Sequence, residues 1–141
     1  MRLALRIATL VVVIGSAIPA TAHHSNPRYF DMAKVMTLEG VVLRVSWINP
    51  HVILYLQSTN ERGEQETWVI HGSSPSNAVR RVGLKDRLQP GVSIAARVWP
   101  SRIPLFVNDE ETVLHTRPDD PRQSSRIVGG GQVKFSNGDV L

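Results

Sequence analysis

The sequence predicts a mainly β domain, a small OB-like barrel of five strands with one short helix. Three observations predict it. Residues 35 to 71 hold three apolar, β-branched runs separated by turn residues. A proline-opened helical segment follows the third run. Two further strand patterns come after it, the last closing on Asn137-Gly138. Three meandering strands, a helix and two strands is the OB order. A different small β-barrel, or an open sheet with one helix, satisfies the same succession.

The first strand spans Val35 to Trp47, with polar residues at Thr37, Glu39, Arg44 and Ser46. Gly40 inside it predicts a bulge or a sharp bend, as a long strand needs when it curls around a small barrel. Asn49-Pro50 interrupts the run, and His51 to Gln57 resumes it. Asn60 to Gly63 reads as a polar turn, and Glu66 to His71 as the third strand. Ser73-Ser74-Pro75 then offers a serine cap with proline at the first helical position, and Gly83 offers the stop. Pro90-Gly91 turns into a fourth strand, Val92 to Trp99. Pro100 and Pro104 make the next stretch irregular, with Thr112 to His115 as a short strand candidate. Residues 117–131, rich in proline, aspartate, serine and glycine, read as a mobile loop. Gln132 to Leu141 reads as the closing hairpin.

The N-terminus predicts export. Arg2 and Arg6 precede an uncharged, mostly apolar run from Ile7 to Ile18. Pro19 ends it, and Ala20-Thr21-Ala22 has the small-x-small pattern read by signal peptidase. The run is shorter than the roughly 20 residues of a spanning helix. Residues 1–22 are therefore expected to be a signal peptide, leaving a periplasmic or secreted single domain, residues 23–141, with no membrane span. The absence of cysteine excludes disulfides, thiolate metal sites, cysteine nucleophiles and a lipid-modified cysteine. The formal charge of +4 counts Arg2 and Arg6, so the processed chain is less basic than the whole. With no dense Lys/Arg run and an exported address, nucleic acid is not an expected partner.

Through His23-His24-Ser25, Phe30-Asp31, Leu38-Glu39-Gly40-Val41-Val42 and Trp47-Ile48-Asn49-Pro50-His51-Val52, the chain resembles the DUF6152 family of uncharacterised exported bacterial proteins. The resemblance continues through Gly72-Ser73-Ser74-Pro75, Arg80-Arg81-Val82-Gly83, Pro90-Gly91 and the closing turn. It implies export and a small β-domain, and carries no activity. One departure is His71, where the resemblance leads one to expect an acidic residue before Gly72.

The processed chain holds His23, His24, His51, His71 and His115. A hairpin centred near Glu61 places Leu54 opposite Trp68, Val52 opposite Ile70 and His51 opposite His71. Opposed side chains have Cβ atoms about 4.5–5.5 Å apart, close enough for two imidazoles to share an ion. A one-residue slip would put them on opposite faces. Cleavage after Ala22 makes His23 an N-terminal histidine, able to offer its amine and its imidazole to one metal. The expected metal ligands are thus His23, His24, His51 and His71, and an all-nitrogen set suits copper as Cu(II) better than zinc. The bland alternatives are a backbone-bonded His51, a surface His71 and a frayed terminus.

Catalytic constellations are thin. Asp31, Glu39 and Asp109-Glu110-Glu111 are the acidic candidates, the last most simply a solvated loop. Ser73 and Ser74 are explained by capping, and Gly129-Gly130-Gly131 lacks the lysine and helix of a phosphate loop. Trp47, Trp68, Trp99, Tyr55 and Phe30 read mostly as core, with the barrel face as the alternative for some. The expected function is an exported, non-enzymatic binding or accessory domain taking a metal ion or small ligand, with copper the most concrete candidate. A second reading is a protein-interaction module serving a larger periplasmic enzyme. A third is a small-molecule enzyme using His51 or His71 as general base.

Overall fold

A computed structural model describes residues 26–80, 83–108, 113–115 and 126–141. The expected signal peptide, His23 and His24, and residues 117–125 of the expected loop lie outside these. The described elements are α1 (Asn26–Tyr29), β1 (Met36–Ile48), β2 (His51–Thr59) and β3 (Gln65–His71). They continue with α2 (Pro75–Arg80), α3 (Leu84–Arg87), β4 (Ser93–Pro100), β5 (Leu105–Val107), β6 (Val113–His115) and β7 (Ile127–Phe135). Strands β1-β2-β3-β7-β4 form a closed five-stranded barrel, and β5 and β6 form a separate pair.

The barrel closes because β1 serves two neighbours. Its first half, Met36 to Val41, pairs with β4, and its second half, Val41 to Ile48, pairs with β2. Gly40 sits at the changeover, where a Cβ would overlap the carbonyl oxygen of Gln57 on β2. The bulge lies just beyond, between Val42 and Arg44, where two consecutive residues turn outward. The remaining closure is a parallel pairing of β3 with β7, through Val69–Ile127 and Ile70–Val128. Alternate residues fill the interior: Leu38 and Val42, Leu54 and Leu56, Ile70, Val98 and Val128. Leu84 and Leu88 cap one end.

The helical segment begins as its sequence suggests, with the Ser74 hydroxyl accepting from the Asn77 backbone N–H at 3.4 Å and Pro75 opening α2. Gly83, at φ 76°, separates it from α3, a further turn that the sequence did not announce. The closing hairpin is present: Val133 and Leu141 exchange backbone hydrogen bonds, and Gly138 turns at φ 90°.

Residues 127–131 correct the expectation of a mobile loop. They are strand, paired with β3 on one side and β4 on the other. The glycines are there for close approach. A Cβ on Gly129 would lie 2.8 Å from the Phe30 ring, and one on Gly130 2.8 Å from Ile70. Composition alone reads as flexibility what packing uses as clearance.

At the entrance to β7, Arg126 donates to Glu66 at 2.9 Å, as does Asn60. The Arg126 bond first, then that of Asn60, holds the Glu66 carboxyl below its ordinary range. The stabilisation is therefore full above the ordinary glutamate range and is lost as pH falls through the lowered value. Arg126→Gln should lower Tm by a few degrees at most near about pH 7, and the difference should vanish near about pH 2. A pH-independent difference in thermal scans would contradict this.

Candidate metal centre

His51 opens β2 directly after a cis Asn49–Pro50 bond, and His71 ends β3. The hairpin register differs from the expected one. His71 faces Ile53, Ile70 faces Leu54 and Trp68 faces Leu56, so the expected pairing of His51 with His71 is displaced by two residues. The cause is the loop. The Asn60 side-chain oxygen accepts from the backbone N–H groups of Arg62 and Glu64, each at 2.9 Å, and centres the turn one residue later. A slip of two preserves the face, where a slip of one would have reversed it. His51 and His71 thus remain neighbours, now on a diagonal.

Their rings lie 4.1 Å apart between centroids, tilted by 47°. Two imidazoles bound cis to one ion through bonds of about 2 Å have centroids about 4 to 5 Å apart, so the separation suits a shared metal. His51 Nδ1 lies 3.2 Å from the Gly72 carbonyl, which can only accept. Nδ1 therefore donates, and the lone pair of the neutral ring falls on Nε2, the atom left for ligation. Both rings are half-buried, with the Nδ1 of His71 fully enclosed. Val52, Leu54 and Ile70 point into the barrel, so the histidines occupy its outer face.

That face carries a second small core, built around Phe30, Leu105 and Ile127. Phe30 is 1% exposed, and its ring lies 5.6 Å from that of His71. The chain around it is fastened along the end of β4. Asp31 donates its backbone N–H to Pro100 at 2.8 Å, and Arg102 does the same to Tyr29 at 2.7 Å. The Arg102 guanidinium adds bonds to the Phe30 carbonyl at 3.1 Å and to the Asp31 carboxylate at 2.8 Å. This clasp is what the sequence reading missed. Phe30-Asp31 and Gly129 were visible, but nothing in their spacing announces that one makes room for the other.

The structure brings together His51 and His71. Among the described residues no group of three or more histidines and carboxylates assembles, so these supply two donors. His23 and His24 lie outside the described residues, as do Asp109, Glu110 and Glu111. The backbone of His115 pairs with Leu105 in the separate two-stranded sheet. Asp31 is engaged by Arg102, and Glu39 lies exposed on β1. No described helix is long and apolar enough to cross a membrane.

Among solved structures, the mitochondrial single-stranded DNA binding protein Rim1 from S. cerevisiae is similar, with 11% identity and a TM-score of 0.48. The match covers 75% of this chain and 97% of that one. No curated protein matches the sequence. A family model matches residues 10–104, and the chain belongs to DUF6152, a family of unknown function.

Proposed function

We propose that the protein is an exported binding domain that takes one Cu(II) ion, released by cleavage after Ala22 to act in the periplasm or outside the cell. His51 and His71 supply imidazole nitrogens from the barrel, and His23 and His24 supply the amine and imidazoles of the new terminus. The observation that carries the reading is the 4.1 Å contact between the two rings, with Nδ1 of His51 held by Gly72. A second observation supports it. Phe30 sits against His71, and only five residues separate it from His24. Cu(II) heads the affinity order for nitrogen donors, and export exposes the site to it.

The test is titration of the exported, untagged protein with Cu(II), read by electron paramagnetic resonance, after mass spectrometry has identified its first residue. One equivalent should bind with nitrogen hyperfine structure. A single glycine ahead of His23 should weaken binding at least about 10-fold, because it removes the terminal chelate. His71→Phe, which keeps a ring against Phe30, should weaken it about 10- to 100-fold. Unchanged affinity in both variants rejects the site.

A further inference from the structure

At one end of the barrel lies a cavity of about 260 Å³, running from the interior residues Leu54 and Ile70 to Trp99 and Met32 of the outer-face core. It is bounded by Leu84 and Leu88 at one end, Ile70 and Ala96 along the wall, and Trp99 and Met32 near the mouth. None of the described lining side chains is charged; the polar ones are those of Ser73 and Gln132. Gln132 accepts from Arg97 at 3.3 Å, which holds its side-chain oxygen in place. β7 contributes bare backbone to the lining, packed closely against its neighbours. Gly130 and Gly131 both line the cavity, and a Cβ there would meet Ile70 at 2.8 Å or Trp99 at 3.0 Å.

An apolar cavity of about 150 Å³ already accepts benzene, while drug-sized ligands occupy about 300–1,000 Å³. The present one falls between. An anionic ligand would meet no cationic side chain there and would lose its hydration without return. We propose that this cavity is a binding site for a small uncharged ring compound, one or two fused rings carrying a single hydrogen-bonding group that reaches Ser73 or Gln132. The occupant is a free small molecule. Ring faces pack against Trp99 and the leucines, and the polar group turns to the rim. The site adjoins the copper site at Gly72, whose carbonyl accepts from His51, but the indole and Cu(II) titrations test the two independently.

The probe is indole, two fused rings with one N–H donor, titrated into the exported protein and followed by proton–nitrogen correlation spectra. Saturable shifts should appear at the amides of Gly130, Gly131 and Leu88 and at the Trp99 indole N–H. Indole-3-acetate, which adds a carboxylate, should bind at least about 10-fold more weakly. Ala96→Leu should abolish the indole shifts by filling the space. Because position 96 is buried, Val133→Phe at the partly buried mouth provides a second blocking variant, with circular dichroism verifying its fold. Shifts should not depend on protein concentration, and Cu(II) should not compete. No saturable shifts with indole, equal binding of indole-3-acetate, or shifts that persist in both folded variants would overturn the assignment. Shifts that track protein concentration would assign the cavity to self-association instead.

Discussion

Gly40→Val should leave the chain unable to form its barrel. A Cβ at this position overlaps the backbone oxygen of Gln57 and comes within 3.2 Å of the Leu56 side chain. Backbone cannot yield as a flexible side chain does. Moving β2 away breaks its ladder with β1, and moving β1 away breaks the adjoining ladder of Met36 to Val41 with β4. The expected loss exceeds about 4 kcal/mol, a large part of the about 5–15 kcal/mol that holds a domain of this size. Gly40→Ala should show the same defect at smaller scale. Far-ultraviolet circular dichroism and thermal unfolding decide the matter: an alanine variant melting with the wild type would mean that β1 and β2 are not in van der Waals contact here.

Phe30→Ala should be the most costly single truncation on the outer face. The ring is nearly fully enclosed between Gly129 and His71, so its removal loses its burial and leaves a cavity. The expected cost is about 3–5 kcal/mol, or a fall in Tm of about 10–20 °C. Phe30→Leu should recover part of it. On the proposed copper site, the truncation also removes the packing against His71, so Cu(II) affinity should fall although His51 and His71 are intact. A destabilised variant with undiminished copper affinity would show that the clasp serves stability alone. An unchanged Tm would contradict the packing itself.

Much of the barrel was legible in the sequence because local chemistry and global pairing agree there. β1 to β4 follow from alternating apolar runs bounded by Asn49-Pro50, Asn60-Gly63 and Pro90-Gly91, and the last turn follows from Asn137-Gly138. What failed to read did so for physical reasons. The glycines at 129–131 look like loop composition, yet they are strand because Phe30, Ile70 and Trp99 press against them from distant parts of the chain. The hairpin register was misjudged by two because the Asn60 side chain, rather than the sequence midpoint, organises the turn. The histidine pair survived that error only because strand faces repeat every second residue. β5 was hidden between Pro104 and Asn108, too short for a periodic signal. The clasp of Phe30 and Arg102 spans about seventy positions, beyond the reach of any local pattern.

The last strand of the chain is also the keystone of the ring, wedged between two strands made much earlier. Without β7, strands β1 to β4 leave the ring open between β3 and β4. Until β7 docks, the facing edges of β3 and β4 have no partner there. Closing the ring therefore waits on pairings of high sequence separation, β3 with β7 and β4 with β7, which makes it the slow step of assembly.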